Sequence, residues 1–389
     1  MNIHRQAPTP FVGDNFEVVP EPGSTKLVMY FTATGAPHRY FNFWRAGNAL
    51  KTHRIFVNNA RAWYQQGVPG LGSSVEETVE TVRRWADYLG ASELYTVGGS
   101  MGGYGATLFG TLLSAPVLAF SFESELDLEG SRSRKLMDPG TLVTHRDLRP
   151  LIEKATKPIF AIVGERDPID VYSIDRIRHF PMVTAKSIRR ILHGPQNYLN
   201  KLNRLVPLIE DFINGASTLP KMQEDGDVFW RPGFPALYFQ THQHHAAKQW
   251  EEAVETGKKA LALFPTSEQC NWLVGDSLMR LKRLAEAYPF LYVARNAAGP
   301  LLQNYFSLAT CARQMGLPAD AIYLHKQTLA RWPDHAKTHY CMGLAFLKLR
   351  NKTNAGAAFQ RAAELEPNNA SYMERAKANP VKSSAPDPV

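Results

Sequence analysis

The run Tyr95-Thr-Val-Gly-Gly-Ser-Met-Gly-Gly-Tyr104 carries the strongest structural signal in the first half of the chain. A β-branched stretch ends at Gly98-x-Ser100-x-Gly102, and a segment of small residues follows. In this pattern the serine occupies a strained turn between a strand and a helix. Glycine is needed on both sides because a Cβ there would collide with the neighbouring backbone. The sequence therefore predicts a strand, a sharp turn that exposes the Ser100 hydroxyl, and a helix.

A carboxylate and a histidine follow the serine along the chain, each just beyond a predicted strand. Residues 158–163 predict a buried parallel strand, and Asp167 stands just beyond its carboxyl end. Residues 182–192 predict a further strand, and His193 follows it directly. Histidine can activate a serine hydroxyl as a general base, and a carboxylate can hold the imidazole in the required tautomer. We therefore expect Ser100, Asp167 and His193 to form a catalytic triad.

These three motifs, each at the end of a strand, resemble the α/β-hydrolase family. The resemblance covers residues 25–216. It implies an α/β fold with a doubly wound, mostly parallel sheet, and a serine nucleophile activated by histidine. Only about 35 residues separate the strand at 117–122 from the strand before Asp167, so the lid inserted there in such enzymes is expected to be minimal. A minimal lid disfavours a lipase, because a long acyl chain needs apolar cover.

Acyl transfer also needs two N–H donors aimed at the developing oxyanion. The resemblance implies Met101 N–H as one donor and an N–H of the loop after an early strand as the other. That strand and loop read Leu27-Val-Met-Tyr-Phe-Thr-Ala-Thr-Gly35 here, without the His-Gly motif of lipases and esterases. Since a backbone donor does not depend on its side chain, Thr32 or Ala33 is expected to supply the second N–H.

Each member of the triad has an alternative interpretation. The glycine-rich turn at Ser100 could bind a phosphate at a helix N-terminus, as in dinucleotide-binding domains, although no ribose-binding acid follows at the usual distance. Asp167 could cap the helix that Pro168 begins, and Asp170 would then be the acid. His193 could be an ordinary loop histidine, since the chain contains 12 histidines. The order of the three residues favours the triad.

The composition is that of a soluble protein with more than one domain. The chain has 389 residues, of which 44% are hydrophobic, and a formal net charge of +8. That charge is spread over both halves without a dense basic run, so no nucleic-acid partner is expected. No apolar run is long enough for a transmembrane helix and no signal peptide is recognisable, so a cytoplasmic protein is expected.

The three cysteines lie far apart in the C-terminal half, at apolar-flanked positions. Their spacing matches no metal motif, and we expect buried thiols at Cys270, Cys311 and Cys341. The sequence gives no reason to expect a bound cofactor or a metal ion.

The hydrophobic period changes after residue 216. Residues 217–233 are polar and predict a linker. Four prolines then recur with separations of 35, 33 and 34 residues, and each ends a stretch patterned as two amphipathic helices: Pro265, Pro300, Pro333 and Pro367. This spacing resembles the tetratricopeptide repeat, most closely in the last copy, where Gly343 and Ala355 occupy small-residue positions.

The resemblance implies four degenerate repeats stacked as an all-α solenoid over residues 234–376, although an irregular helical bundle is the alternative. Residues 1–24 are predicted to be an N-terminal extension, and residues 377–389 a disordered tail rich in Pro, Ser and Asp. A solenoid of this kind is expected to bind a protein partner or to mediate self-association.

The triad predicts a serine hydrolase or esterase that cleaves a small acyl ester through an acyl-enzyme. An O-acyltransferase that moves acetyl to a polysaccharide hydroxyl, with acetyl-CoA as co-substrate, is one alternative; an inactive repeat scaffold is another. The aromatic segment at residues 39–45, with Trp63 and Tyr64, could stack on a glycan, or its rings could pack as the apolar face of a helix. The expected substrate is therefore an ester or a glycan.

Overall fold

The computed structural model describes residues 6–297 and 299–380. The chain divides into two compact units, Met1–Phe239 and Gln240–Val389. The first unit contains a seven-stranded sheet, and the described secondary structure of the second is helical.

The sheet of the first unit is mixed but mostly parallel. Its strands are β1 (Phe16–Val19), β2 (Lys26–Phe31), β3 (His53–Val57), β4 (Glu93–Gly99), β5 (Val117–Phe120), β6 (Ile159–Gly164) and β7 (Val183–Ile188). They lie in the order β1-β3-β2-β4-β5-β6-β7, in which only β1 runs antiparallel to its neighbour. Strand β1 falls inside the predicted N-terminal extension, so that prediction is wrong for residues 16–19. Residues 16–19 alternate buried with partly exposed side chains, as a strand with one buried face does, and they pair with β3.

Helices cover both faces of this sheet. They are α1 (Trp44–Asn48), α2 (Val75–Leu89), α3 (Met101–Leu112), α4 (Arg132–Leu136), α5 (Arg149–Ile152), α6 (Pro168–Asp175), α7 (Pro195–Lys201) and α8 (Leu205–Ile213). On one face Phe212 of α8 packs edge-on against Tyr95 of β4, with ring centroids 5.5 Å apart. On the other face Phe109 of α3 lies 5.4 Å from Phe31 of β2. Burial on both faces explains the continuous apolar runs of the central strands.

The turn between β4 and α3 has the strained geometry that the sequence predicts. Ser100 has a φ of 59° and a ψ of −128°, which a residue with a side chain rarely adopts. A Cβ on Gly98 would lie 2.0 Å from the carbonyl oxygen of Gly102, and a Cβ on Gly102 would lie 2.2 Å from that of Phe31. Both contacts are with backbone atoms, so only glycine fits at either position. The first turn of α3 thus packs directly on the end of β2.

Residues 217–233 are not a free linker. Arg189 N–H donates to the carbonyl oxygen of Glu224 (2.8 Å), and Val228 N–H donates to the Glu165 carboxylate (2.8 Å). The side chain of Lys186 on β7 also binds Asp225 (2.7 Å). The segment includes a 3₁₀ turn, Val228–Trp230, and belongs to the first unit. It covers the outer edge of β7, which would otherwise expose unpaired backbone groups.

The helices that follow repeat with a fixed period. They are α9 (Phe234–Ala246), α10 (Trp250–Leu263), α11 (Glu268–Arg280), α12 (Leu284–Asn296), α13 (Leu302–Gln314), α14 (Pro318–Leu329), α15 (Ala336–Lys348), α16 (Lys352–Leu365) and α17 (Ala370–Ala378). The odd-numbered helices begin 34 residues apart, as do the even-numbered ones. This regular spacing confirms the predicted helical repeats and argues against an irregular bundle.

Small residues bring paired helices together, as the repeat pattern predicts. A Cβ on Gly343 of α15 would lie 2.7 Å from the ring of Phe359 on α16. The three cysteines are buried and unpaired, which confirms that prediction. Residues 377 and 378 belong to α17 and not to a disordered tail, and residues 381–389 lie outside the described residues. Within the described parts of the chain, the helices are too short or too polar to span a membrane.

The contact between α3 and β2 can be tested with two glycines of the same turn. We expect Gly102→Ala to lower the free energy of unfolding of the first unit by about 2 kcal/mol or more, because its new methyl group meets a rigid carbonyl. Gly99→Ala is the matched control, since a Cβ there meets only the movable end of the Gln196 side chain. Denaturant unfolding measures both, and equal losses would contradict the close packing.

Candidate active site

Ser100 and His193 meet at the carboxyl edge of the sheet. Ser100 follows β4, and its backbone N–H donates to the carbonyl oxygen of Phe120 at the end of β5 (2.8 Å). His193 lies in the loop after β7, just before Gly194, whose φ of 104° allows the chain to turn into α7. The His193 Nε2 atom is 2.7 Å from Ser100 Oγ. This is the contact that a general base makes with the hydroxyl it activates.

The carboxylate on the other side of the imidazole belongs to Asp170. His193 Nδ1 lies 2.9 Å from one carboxylate oxygen of Asp170 and 3.2 Å from the other. The Asp170 side chain is fully buried, whereas 29% of the His193 side chain is exposed. Ser100, His193 and Asp170 therefore form a continuous hydrogen-bonded chain from a buried anion to an accessible hydroxyl.

Asp167, which the sequence predicts as the acid, has another role. Its Oδ1 atom accepts the backbone N–H groups of Ile169 and Asp170, both at 3.1 Å, so that it caps α6 with Pro168 at the first helical position. No hydrogen bond joins Asp167 to His193 among the described residues. The prediction of Asp167 is therefore corrected to Asp170, because capping α6 turns its carboxylate toward the helix N-terminus. The order Ser, Asp, His along the chain is unchanged.

Arg132 binds both aspartates. Its guanidinium donates to Asp170 Oδ1 at 2.9 Å and also contacts Asp167 Oδ2. The buried Glu123 carboxylate accepts the backbone N–H groups of Arg132 (2.9 Å) and Ser133 (3.0 Å), which fixes the start of α4. Arg132 is thus held in place from its own backbone. We infer that it positions Asp170.

Together, the charges of Asp170, His193 and Arg132 lower the pKa of Asp170 and raise the pKa of His193. Burial would raise the pKa of Asp170, but the neighbouring His193 and Arg132 outweigh burial and hold it at about 2. Burial would lower the pKa of His193, but the charge and the hydrogen bond of Asp170 outweigh it, so that the pKa lies above the usual 6.5. Arg132 acts in the opposite sense on His193 and lowers its pKa. The imidazole is therefore stabilised as a cation, as it must be after it accepts a proton.

Asp167, Asp170 and His193 carry atoms of the type that bind metal ions. One ligand atom each from Asp167, Asp170 and His193 lies within 4.8 Å of the others. Arg132 already occupies this position with its positive charge and pairs with both carboxylates. A cation would have to displace the guanidinium, so these residues do not fit a metal site.

The predicted oxyanion donors differ in their availability. Met101 begins α3, and its N–H group has no acceptor among the described residues, so it is free to bind an oxyanion. Thr32 N–H donates to the carbonyl oxygen of Val57 (3.0 Å) and to the hydroxyl of Tyr64 (2.9 Å). Ala33 N–H donates to the Asn42 side-chain oxygen at 2.7 Å. Neither N–H predicted as the second donor is therefore free.

A cavity of about 800 Å³ opens at Ser100 and His193. Residues of the aromatic segment line one side, and of these Tyr40 is 53% exposed and Trp44 is 37% exposed. Phe41 is buried, and its ring packs against the core. The segment between β5 and β6 contains only the short helices α4 and α5, and Arg132 and Leu136 of α4 line the cavity. The cavity is consequently open, as the minimal lid predicts.

No family model matches the chain, and no curated protein matches it either. Solved structures do match it. The crystal structure of YrrB, described as a TPR protein with an unusual peptide-binding site, is 18% identical, with a TM-score of 0.36, over 47% of this chain and 88% of that one. The crystal structure of MamA protein is 14% identical, with a TM-score of 0.36, over 38% and 80%. A tetratricopeptide repeat protein from Parabacteroides merdae is 19% identical, with a TM-score of 0.34, over 36% and 57%.

The low identities and TM-scores of these matches carry no argument, and the 34-residue helical period described above is what defines the repeat. Membership of the first unit in the α/β-hydrolase family stays a prediction.

The sequence analysis did not identify Arg132 and Asn42 as site residues, and it assigned the acid to Asp167 instead of Asp170. The signal for Asp170 was present, because an Asp before Pro168 is a regular helix cap, which leaves the next acid for His193. Arg132 gave no signal of this role, because its contacts with Asp167 and Asp170 join segments that are distant in the sequence. Asn42 gave no signal, because its contact with Ala33 depends on how the loop after β2 folds back.

The acid can be assigned by the rate at which a fluorophosphonate probe labels Ser100. We expect Asp170→Asn to slow labelling by a factor on the order of 10³, because the imidazole loses the anion that orients it and stabilises its positive charge. Asp167→Asn is the matched control. It keeps a capping oxygen for α6 and should slow labelling less than about tenfold. The reverse ranking would restore Asp167 as the acid.

The role of Arg132 can be read from the pH dependence of labelling. His193 accepts a proton only when neutral, so labelling should fall as the pH drops through its raised pKa. Arg132 lowers that pKa, and Arg132→Gln should therefore move the acid limb to higher pH. Arg134→Gln, on the same short helix but half-exposed and paired with Asp127, should leave the limb in place. An unchanged limb in Arg132→Gln would contradict the coupling.

Proposed function

We propose that the first unit is a serine hydrolase of the α/β-hydrolase type that cleaves a small acyl ester. The observation that carries the proposal is the hydrogen-bonded chain from Ser100 Oγ through His193 to the buried Asp170. The nucleophile and the base line an open cavity, and the orienting acid is buried in contact with the base. The strained backbone at Ser100 is the conformation that lifts such a nucleophile out of the sheet.

The proposed reaction proceeds in two halves. Ser100 Oγ attacks the ester carbonyl carbon while His193 Nε2 takes the hydroxyl proton, and the carbonyl electron pair moves onto its oxygen. When the tetrahedral intermediate collapses, the C–O bond to the alcohol breaks and His193 gives that alcohol the proton. Water then attacks the acyl-enzyme with the same histidine as base, which releases the acid and restores Ser100. The free Met101 N–H supports the negative oxygen in both halves.

An acceptor other than water would turn the same chemistry into acyl transfer. Tyr40 and Trp44 keep part of their rings exposed at the cavity, and flat exposed rings suit a sugar acceptor. O-acylation of a polysaccharide hydroxyl, with acetyl-CoA as the donor, is therefore the alternative outcome at this site. Neither reaction requires a bound cofactor.

A second candidate function, partner binding, is favoured by unpaired polar atoms in the repeats. Gln303 Nε2, Thr310 Oγ1 and Arg313 Nε are buried without a partner among the described residues, and their spacing puts all three on one face of α13. These three residues are themselves partly exposed, so a rotation of each side chain would let a bound partner pair its polar atom, which costs about 1–3 kcal/mol while it is unpaired.

The proposed hydrolase is tested with a fluorophosphonate probe followed by peptide mapping. We expect the probe to modify Ser100 and the protein to hydrolyse p-nitrophenyl acetate. Ser100→Ala should lose the labelling and should lower hydrolysis by a factor on the order of 10³ or more. Ser92→Ala, an exposed serine at the start of β4, is the matched control and should behave like the wild type.

Added polysaccharide that increases p-nitrophenol release and becomes acetylated would indicate transfer to a sugar hydroxyl. A folded wild-type protein that neither reacts with the probe nor hydrolyses the ester would contradict the proposal. It would leave partner binding by the repeats as the better account.

A further inference from the structure

Neither backbone N–H predicted as the second oxyanion donor is free to bind an oxyanion. Thr32 N–H is shared between Val57 and Tyr64, and Ala33 N–H is held by Asn42. An oxyanion stabilised by Met101 N–H alone would lack the second donor that acyl transfer needs. Under the proposed function, which this inference deepens, another group at the cavity must supply it.

Asn42 is held with its amide in a defined orientation. Its backbone N–H donates to the Thr32 hydroxyl at 3.2 Å, and its side chain accepts from Ala33 N–H at 2.7 Å. A backbone N–H can only donate, so the atom that faces Ala33 must be the carbonyl oxygen Oδ1 of the amide. The NH₂ group, Nδ2, is then the other end of the amide. It has no acceptor among the described residues.

Asn42 lies in the wall of the cavity that contains the reacting residues. Asn42, Ala33, Ser100 and His193 line the same cavity. The loop that carries Ala33 follows β2, whose end lies against the first turn of α3, where Met101 N–H is presented. The two atoms of a side-chain amide are only about 2.3 Å apart, so Nδ2 lies close to the position at which an Ala33 N–H donor would serve.

We propose that Asn42 Nδ2 is the second donor of the oxyanion hole. The electron pair that moves onto the carbonyl oxygen during attack by Ser100 is bound by Met101 N–H on one side and by the Asn42 amide on the other. Ala33 N–H does not bind the oxyanion itself, but its hydrogen bond to Asn42 Oδ1 holds Asn42 in orientation. A donor fixed before the reaction costs no reorganisation when the charge develops.

Thr34 is the rival donor. It lines the same cavity, and its hydroxyl is buried without a partner. No hydrogen bond fixes the rotation of that hydroxyl, whereas Asn42 is fixed at two points. We therefore favour Asn42, and the comparison of the two residues forms part of the test.

The test uses Asn42→Ala, Asn42→Asp and Thr34→Val in the full chain. Asn42→Asp keeps an acceptor for Ala33 N–H but replaces the donor with a carboxylate. We expect both Asn42 variants to lower kcat for p-nitrophenyl acetate by a factor on the order of 10² to 10³, with little change in KM, because the donor binds only the charged oxygen. Thr34→Val should lower kcat by less than either Asn42 variant.

A second readout separates a catalytic donor from a structural residue. A trifluoromethyl ketone forms a hemiketal oxyanion on Ser100, and its affinity should fall in the Asn42 variants by a factor similar to the loss in kcat. In Asn42→Ala the acid limb of the pH profile should stay in place, since His193 and Asp170 are untouched and no charge is introduced. A general loss of structure would instead lower the thermal unfolding temperature and disturb the limb as well.

The outcomes distinguish this inference from the proposed function. If the wild type is labelled at Ser100 and the Asn42 variants keep their kcat and inhibitor affinity, the inference is overturned and the hydrolase stands. A large loss in Thr34→Val alone would move the donor to Thr34, and a gain in Asn42→Ala would mean that Asn42 blocks Ala33 N–H. If the wild type neither reacts with the probe nor hydrolyses ester, both proposals fail.

Discussion

The first turn of helix α3 packs so closely against the ends of β2 and β4 that backbone occupies the space where a side chain would stand at Gly102 and Gly98. This contact forces the positive φ of Ser100 and presents the N-terminal N–H of α3 beside its hydroxyl. The loop that leaves β2 starts at the same place, so the groups that can stabilise an oxyanion converge there. The geometry of the site thus follows from a backbone contact at the centre of the sheet.

A second constraint is electrostatic. Asp170 is fully buried, and a buried carboxylate stays ionised only when positive charge or hydrogen bonds compensate for the loss of water. Here His193 and Arg132 share that role, and they compete for the same anion. Arg132 keeps Asp170 charged whether or not His193 carries a proton. It also limits how far the pKa of His193 rises, so the base stays available nearer to neutral pH.

The parts of this structure that follow from local sequence were predictable. The turn at Ser100, the position of His193 after a strand and the period of the helical repeats each depend on residues close together in the chain. The prediction of Asp167 was wrong although the local sequence points to the answer, because an Asp before proline caps the following helix and leaves the next acid for the histidine. Asn42 and Arg132 could not be predicted, because their contacts join segments that only the folded sheet brings together. The same holds for residues 217–233, whose partners lie on β7.

The proton between His193 and Asp170 offers the most direct test of the central claim, that Ser100, His193 and Asp170 act as one unit. In a sample with ¹⁵N-labelled histidine, the account predicts a strongly downfield proton resonance correlated with Nδ1 of His193. The signal should persist in Asp167→Asn and disappear in Asp170→Asn, whose amide would donate to Nδ1 and leave it without a proton. A signal that survives in Asp170→Asn but is lost in Asp167→Asn would contradict the account.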